Sequence, residues 1–298
     1  MIRIDVPATS ANLGAGFDSL GIALTMKNRI WMEESDTVKI TCTDNVEVPK
    51  DDSNLIYWAA NHLYELCGKR LPGLHLIQEN NIPLARGLGS SSSCIVAGIL
   101  GANRFLGSPL STSDLINVAA KIEGHPDNTS PAISGGLVAS AMEGERVYSV
   151  SVPVSEKIRF AVLIPPFELK TEMARKALPE TYSREDAVYN LSRSGLMTAS
   201  LFSGKLENLR VAVQDRIHQP YRSGLIKDYD NVFRMTYELG SLGTYVSGAG
   251  PTIISMINTD QADRFGIDCE SHLADKDING WRVEILRADS GGASISID

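Results

Sequence analysis

The chain has 298 residues, 43% of them hydrophobic, a length that favours roughly two domains with a large buried core. Its 28 Lys and Arg against 36 Asp and Glu leave a net charge of −8 with no basic cluster, which argues against a nucleic-acid-binding surface. No apolar run approaches the roughly 20 residues of a membrane span, and the N-terminus lacks the apolar segment of a signal peptide, so we expect a cytoplasmic protein that binds no membrane.

The first half of the chain is rich in predicted strands. Alternating or apolar segments predict strands at residues 2–6, 30–34, 37–43 and 74–78, and a hairpin from residues 136–141 and 147–152. A helix over residues 54–67 follows the cap candidates Asp52 and Ser53. Two further helices are predicted, one from a group of serines to Gly107 and one over residues 112–122.

The second half mixes strands and helices. A strongly apolar strand is predicted at residues 158–164, helices at residues 171–178 and 185–202, and a strand, helix and strand series from Tyr245 to the end. Residues 152–155, Val-Pro-Val-Ser, are the expected crossing between the halves. The pattern predicts an α+β protein with domains at residues 1–153 and 154–298.

The most informative segment is Pro83 to Cys94, with the sequence PLARGLGSSSSC. Ile95, Ile99 and Leu106 lie on one stripe of the helix that follows, so the glycines and serines occupy a helix N-terminus. There the first backbone N–H groups have no intrahelical acceptor and the helix dipole is positive, while glycine lets the backbone approach an anion. Serine hydroxyls add groups for phosphate oxygens or magnesium. The pattern favours a phosphate-binding loop over a Gly-Ser linker or an ordinary helix cap.

This loop differs from the common nucleotide-binding sequences. A Walker loop requires a lysine after its last glycine, whereas Gly89 is followed by Ser90. A dinucleotide fingerprint requires a third glycine at the position of Ser92. The chain also lacks the His-Arg-Asp and Asp-Phe-Gly triplets of protein kinases, so a phosphate loop of another lineage is required.

Together with two other segments, the loop resembles the three motifs of the GHMP kinases, small-molecule kinases named for galactose, homoserine, mevalonate and phosphomevalonate. Pro7 to Asp18, PATSANLGAGFD, is similar to the first motif in the form found in homoserine kinases, Pro83 to Ser93 to the second, and Ser247 to Thr252, SGAGPT, to the third. The resemblance implies an N-terminal domain like domain 2 of ribosomal protein S5 and a ferredoxin-like C-terminal domain, with the site between them. It implies that ATP is bound by Pro83, Leu84, Ala85, Arg86, Gly87, Leu88, Gly89, Ser90, Ser91, Ser92, Ser93 and Cys94.

The segment Glu123 to Asn128, EGHPDN, packs two acids, an imidazole and an amide at the end of a predicted helix. Glu123 is the expected magnesium ligand, with Ser91 from the loop, because one carboxylate plus phosphate oxygens and water is a typical magnesium shell. The resemblance implies that His125 lies beside the substrate and that Asn128 hydrogen-bonds the hydroxyl to be phosphorylated. Asp127 is the nearest candidate for a general base, as in mevalonate kinases, with a structural role as the alternative. Other family members can carry a longer insertion between the glutamate and the histidine.

Substrate recognition follows from the charges of homoserine, which carries a carboxylate, an ammonium and one primary hydroxyl. Such a pocket requires a guanidinium for the carboxylate and a carboxylate for the ammonium. By resemblance, Asn12 and Asp18 hold the ammonium and hydroxyl end, and Arg175 and Arg222 clamp the carboxylate. A mevalonate kinase would need no ammonium partner, and a sugar kinase no arginine clamp.

The implied activity is ATP-dependent phosphorylation of the hydroxyl of L-homoserine to O-phospho-L-homoserine, a step toward threonine, with ATP and Mg²⁺. Two alternatives stay open, a related kinase for another small alcohol and a non-catalytic binding protein or S5-like RNA-binding module. The net charge of −8 speaks against the RNA-binding module. A homodimer is expected because relatives often pair.

Overall fold

The computed structural model describes residues 1–297. The first of its two sheets is built around a long hairpin, β1 (Ile2–Ala11) and β2 (Leu20–Glu34). Within the described residues this sheet has seven strands, the others being β3 (Lys39–Cys42), β4 (Leu74–Glu79), β5 (Leu137–Glu143), β6 (Arg146–Val152) and β11 (Ser294–Ile297). Its main path is β11-β1-β2-β4-β3, while β5 pairs with the start of β2 and with β6.

Helices cover one face of this sheet. They are α1 (Leu55–Leu66), α2 (Ser90–Phe105), α3 (Thr112–Glu123) and α4 (Thr129–Ser134). The alternation at the start of β1 explains the packing, because Ile2, Ile4 and Val6 are buried while Arg3 and Asp5 are only partly covered. The buried residues at the start of β1 and the end of β2 share one core with those of α1, α2 and α3, and this core anchors the helix that begins at the serines.

The second sheet is antiparallel and consists of β7 (Ile158–Ile164), β8 (Gly243–Val246), β9 (Ile253–Asn258) and β10 (Arg282–Leu286) in the order β10-β7-β9-β8. That order and the helices between the strands are the ferredoxin-like arrangement. The helices are α5 (Thr171–Lys176), α6 (Arg184–Ser203), α7 (Leu209–Ala212), α8 (Gln219–Arg222), α9 (Tyr229–Glu238) and α10 (Ala262–Asp275).

Two cores flank the second sheet. One face packs on α9 through Val232 and Met235, and on α10 through Phe265, Cys269 and Leu273. The other face shares a core with Ile22 and Leu24 of β2, which joins the two sheets. The site described below lies where the sheets meet, so its geometry depends on this shared core.

Most predicted elements overlap the observed ones, and the α+β class is confirmed, but the series from Tyr245 contains the four strands β8, β9, β10 and β11 where two were predicted. The prediction of Asp52 or Ser53 as the α1 cap is wrong: Asn54 caps the helix, its side chain accepting from the amides of Ile56 and Tyr57. β2 begins at Leu20, ten residues before the predicted strand at residue 30. The short helices α4, α7 and α8, and α9, were not predicted.

The chain leaves the first sheet after β6 and enters the second at β7, close to the expected crossing. It then returns, because β11 pairs antiparallel with β1. The domain boundary at residue 153 stays a prediction. A single boundary there would assign β11 to the second domain, although β11 belongs to the first sheet. Within residues 1–297 no helix is both long enough and apolar enough to cross a membrane.

Candidate active site

One cleft collects residues from all three motifs. From the sequence-predicted site it is lined by Asn12, Asp18, Ala85, Arg86, Gly87, Gly89, Ser90, Ser91, Ser92, Glu123, His125, Asp127, Asn128, Arg175 and Arg222. The loop residues outside its lining are Pro83, Leu84, Leu88, Ser93 and Cys94. Gly248 and Ala249 of the third motif complete the wall.

The loop exposes a row of unused amide groups at the start of α2. Gly87 and Gly89 have φ of 73° and 69°, in the left-handed region that glycine adopts readily. Within residues 1–297 none of the backbone N–H groups from Gly87 to Ser92 donates a hydrogen bond, and the first helical bond runs from the Ser93 amide to the Gly89 carbonyl. Unpaired amides at a helix N-terminus form an anion site, which agrees with the predicted phosphate loop.

The loop carbonyls, in contrast, are engaged by the first and third motifs. Ser247 Oγ donates to the Gly87 carbonyl at 2.6 Å, and the Thr9 amide to the Leu88 carbonyl at 3.1 Å. An added Cβ at Gly87 would meet the backbone oxygens of Ser247 and Gly250, so the loop backbone lies directly against the third motif. Fixing the carbonyls fixes the peptide planes, which keeps the amides available to a ligand.

The four serines of the loop divide into two kinds. Ser93 Oγ donates to the Ser90 carbonyl and accepts from Asn28 Nδ2, so it braces the helix start. Ser90 Oγ and Ser92 Oγ are buried and have no hydrogen-bond partner in the described residues, although both side chains line the cleft. Buried hydroxyls without partners are costly, so they mark a place where a bound group supplies the missing contacts.

Arg86 holds the loop rather than projecting from it. Its guanidinium donates to the carbonyls of Pro165 and Pro166 at 3.1 Å each and to that of Leu84, and it lies 3.5 Å from Glu168. These contacts connect the loop to the segment after β7. A phosphate contact by Arg86 stays a prediction.

The segment after α3 places three functional groups next to the loop. Glu123 ends the helix, and its Oε2 is buried without a partner among residues 1–297. Burial raises the pKa of the Glu123 carboxyl above its ordinary value, and the charge of His125 opposes that rise. Asn128 Oδ1 accepts a hydrogen bond from Thr9 Oγ1 at 2.8 Å, which leaves its amide hydrogens for another acceptor.

His125 and Asp127 form a close pair, with Nδ1 and Oδ1 2.5 Å apart. Burial lowers the pKa of His125, but the Asp127 hydrogen bond and negative charge outweigh it, so the pKa lies above the ordinary value for histidine. Asp127 is almost fully buried, and its oxygen on His125 orients the ring. The geometry therefore supports the structural alternative for Asp127 and leaves the question of a base to experiment.

The predicted zwitterion pocket has its charges on facing elements. Asp18 pairs with both terminal nitrogens of Arg175, at 2.9 and 3.2 Å. Arg222 is 2% exposed and makes no ion pair with a carboxylate in the described chain. Burial lowers its pKa to about 10, with a further lowering from Arg175. Two guanidiniums and one carboxylate thus face the cleft with one positive charge in excess.

Asn12 ties this pocket together. Its Nδ2 donates to the Gly248 carbonyl at 2.9 Å, and its Oδ1 accepts from the Asp18 amide at 3.0 Å. The Nδ2 contact therefore joins the first motif to the third, while the Oδ1 contact stays within the first motif and holds the backbone of Asp18. Direct binding of substrate by Asn12 stays a prediction, since the contacts describe a residue that positions Asp18.

Several residues around the site were missed by the sequence analysis. Phe17 lies under both arginines, with its ring centre 5.8 Å from the Arg175 guanidinium and 5.3 Å from that of Arg222. His218 stacks on the same ring, and Asp215 lies behind it. The segment His218 to Arg222, HQPYR, was singled out for its arginine alone, because the burial that distinguishes this histidine is not visible in the sequence.

Two groups of side chains could hold a divalent cation. Ligand atoms of Asp18, His125 and Asp127 lie within 4.8 Å of one another. Asp18 is already paired with Arg175 and Asp127 with His125, so little uncompensated negative charge is available there. Glu123 fits a magnesium ion better, because its buried oxygen has no partner and the loop hydroxyls lie along the same cleft.

The fold and the cleft define a class of protein, the GHMP-type small-molecule kinases. Residues 54–136 match the family model described as GHMP kinases N terminal domain, and residues 197–266 match GHMP kinases C terminal. The chain is 42% identical over 294 residues to the homoserine kinase of Clostridium botulinum (strain Alaska E43 / Type E3), covering 98% of each chain. It is 43% identical over 297 residues to that of Clostridium beijerinckii, covering 99% of this chain and 98% of the relative. The chain belongs to the homoserine kinase family, as the sequence predicted.

Solved structures agree. The chain is similar to the crystal structure of homoserine kinase from Cytophaga hutchinsonii, with a TM-score of 0.88, 28% identity and coverage of 99% and 97% of the two chains. A crystal structure of mevalonate kinase superposes with a TM-score of 0.69 at 13% identity, covering 97% and 99%, a likeness of fold alone.

Proposed function

We propose that this enzyme transfers the γ-phosphoryl group of ATP to the side-chain hydroxyl of L-homoserine, giving O-phospho-L-homoserine for threonine synthesis. One observation carries the proposal. An anion site made of unpaired amides at the start of α2 and a pocket with one carboxylate and two guanidiniums open into the same cleft. ATP fits the first site by its phosphates, and a zwitterionic amino acid fits the second.

The substrate pocket matches the charges of homoserine. Asp18 takes the ammonium, while Arg222 and Arg175 take the carboxylate, so that the two charges of the substrate lie between Asp18 and the two arginines and replace the present pair of Asp18 and Arg175. The hydroxyl end then extends toward Asn128, whose amide hydrogens are available because Thr9 occupies its oxygen. His125 borders the amino-acid pocket and is held in place by Asp127.

Transfer requires the hydroxyl oxygen to bond to the γ-phosphorus while the bond from that phosphorus to the β–γ bridging oxygen breaks, and ADP leaves with the electron pair. The proton goes from the hydroxyl to a phosphoryl oxygen or to Asp127. Loop amides stabilise negative charge on the phosphates. When bound, Mg²⁺ adds positive charge to the phosphate oxygens, and we propose Glu123 and Ser91 as its protein ligands.

Release of ADP, measured with ATP and Mg²⁺ across L-homoserine, D-homoserine, mevalonate, galactose and shikimate, tests the proposal. We expect strong turnover with L-homoserine alone, and phosphorus NMR of the product should show a phosphate monoester. A reaction without acceptor measures background ATP hydrolysis. Turnover of another alcohol would replace the substrate assignment, and no turnover with any of them would favour the non-catalytic alternative.

We further propose that the enzyme works in the cytoplasm as a homodimer. ATP is abundant there, and Cys42, Cys67, Cys94 and Cys269 are unpaired thiols, as expected in a reducing compartment. Dimerisation is proposed from the pairing common among relatives. Sedimentation equilibrium would refute it by giving the mass of one chain at micromolar concentration.

A further inference from the structure

Arg222 uses most of its hydrogen-bonding capacity inside the protein. A guanidinium has five N–H donors. Nε donates to the Ala174 carbonyl at 3.3 Å, and the two hydrogens of Nη1 serve the Gly248 carbonyl at 2.9 Å and His218 Nδ1 at 3.2 Å. Nη2 has no partner within residues 1–297, and the side chain lines the cleft. Nη2 is thus left for a ligand, and the three contacts of Nε and Nη1 determine the direction in which Nη2 points.

Of these three contacts, the one with His218 is the only one made by a side chain. His218 is fully buried, and its Nε2 lies 2.7 Å from the Gly14 carbonyl. Because arginine only donates, Nδ1 must accept, so the hydrogen of the neutral ring lies on Nε2 and is donated to Gly14. The ring therefore connects the first motif to Arg222 in one defined orientation.

The surroundings of His218 hold that state. Burial lowers its pKa, an effect that Asp215 opposes and Arg222 reinforces, so the ring stays neutral beside the guanidinium. Asp215, also buried, accepts from the backbone amides of His218 at 2.9 Å and Gln219 at 2.6 Å. Phe17 stacks on the ring with centroids 5.4 Å apart. Asp215 thus fixes the backbone position of His218, the Gly14 carbonyl fixes the tautomer of its ring, and Phe17 fixes the plane of the ring.

We propose that His218 is a positioning residue for substrate recognition: its Nδ1 holds Nη1 of Arg222 so that Nη2 meets the α-carboxylate of the amino-acid substrate. This inference rests on the proposed function, and it adds a residue that does not touch the substrate. Without the Nδ1 acceptor of His218, one N–H of the buried Arg222 guanidinium loses its hydrogen-bond partner, and the guanidinium group can rotate. The affinity for the substrate carboxylate should therefore fall, whereas the affinity for ATP should not, because His218 does not contact the phosphate loop.

Two substitutions of His218 test the roles of its two ring nitrogens separately. In His218→Asn the side-chain oxygen can take the place of Nδ1 and accept from Arg222, whereas in His218→Gln the longer amide can donate to Gly14 in place of Nε2 but gives Arg222 no acceptor there. Both variants lose the stacking on Phe17 and keep a buried polar side chain. They therefore serve as matched controls for structural damage, and their melting temperatures show that each folds.

We expect KM for L-homoserine to rise about ten- to a hundred-fold in His218→Gln, the range for a hydrogen bond to a charged group, and less than about five-fold in His218→Asn, with KM for ATP unchanged in both. With 3-aminopropan-1-ol, which lacks the carboxylate, the two variants should be equal. In an Arg222→Ala background, His218→Gln should add nothing further.

Equal KM values for L-homoserine in the two folded variants, or an equal loss with 3-aminopropan-1-ol, would overturn the positioning role. Wild-type turnover of L-homoserine tests the proposed function separately. Should that turnover be absent, calorimetric titration with L-homoserine makes the same comparison by affinity, and failure of the wild-type protein to bind would overturn the clamp together with His218.

Discussion

Replacing Asp18 by asparagine tests the ammonium site with little damage to the fold. Asp18 has φ of 53°, a conformation that asparagine also tolerates, and its backbone hydrogen bond to Asn12 is unchanged. The side chains of Asp18 and Arg175 are 35% and 38% exposed, so their ion pair contributes at most about 1 kcal/mol to stability. We expect the melting temperature to fall by less than about 4 °C.

The effect on substrate binding should be larger. A hydrogen bond to a charged group is worth about 1.5–3 kcal/mol, and each 1.4 kcal/mol is about tenfold in affinity. KM for L-homoserine should therefore rise about ten- to a hundred-fold, while KM for ATP stays within about twofold, since Asp18 does not contact the loop. Arg175 loses the negative charge of its partner but keeps its own charge, so carboxylate binding should persist.

The assay is coupled ADP release with L-homoserine and with 4-hydroxybutanoate, which keeps the carboxylate and hydroxyl but lacks the ammonium. Asp18→Asn should lose activity on the first substrate and not on the second. Glu172→Gln is the control, because Glu172 pairs with Lys176 on the same helix as Arg175, with both side chains about three-quarters exposed. An unchanged KM for L-homoserine, or an equal loss with 4-hydroxybutanoate, would refute the ammonium site.

The remaining predictions address the other parts of the cleft. Arg222→Ala should raise KM for L-homoserine about a hundred-fold with KM for ATP nearly intact, and an unchanged KM would remove Arg222 from the pocket. Glu123→Gln should raise the Mg²⁺ concentration needed for half-maximal turnover at least several-fold, and an identical magnesium titration would exclude Glu123 as a ligand. Gly87→Ala combines about 1–2 kcal/mol of left-handed strain with contacts to Ser247 and Gly250, so KM for ATP should rise; normal ATP kinetics would show that the loop backbone is not the phosphate site.

The geometry of the predicted phosphate loop could be anticipated because its signal is local. Gly87 and Gly89 adopt the left-handed conformations that the glycines suggested, and α2 begins at Ser90 as the apolar stripe required. Ala85 also has a positive φ, of 50°, which its residue type does not suggest. Its carbonyl accepts from the Leu169 amide, a contact from a distant part of the chain that no local pattern contains.

The cap of α1 shows a different limit. Asp51, Asp52, Ser53 and Asn54 are all good capping residues, and propensity does not choose among neighbours. Asp51 instead accepts from the backbone amide and the hydroxyl of Ser53, forming a local turn that withdraws both from the helix. Asn54 is left at the position where its oxygen reaches the first free amides.

The pocket could not be assembled from local patterns at all. Asp18 and Arg175 are 157 positions apart, and in the sequence only the resemblance to the family places them in one pocket. The buried support of His218 and Asp215 was missed for the same reason, because a histidine and an aspartate near an arginine are common on solvated helices. What distinguishes them is burial, a property of the packed molecule.

The third motif explains how a site without an assigned base can still be organised for transfer. Ser247 holds the Gly87 carbonyl of the phosphate loop, while the adjacent Gly248 carbonyl accepts from both Asn12 and Arg222 at 2.9 Å. One turn therefore contacts the proposed ATP loop, the residue that places Asp18, and Arg222 of the proposed carboxylate clamp. Phosphoryl transfer depends mostly on the relative placement of the two substrates, so under the proposed function this turn, which has no reactive group, sets the distance between them. Asn128, held by Thr9, then has to orient only the substrate hydroxyl, because the phosphate site and the amino-acid pocket on either side of it are already fixed.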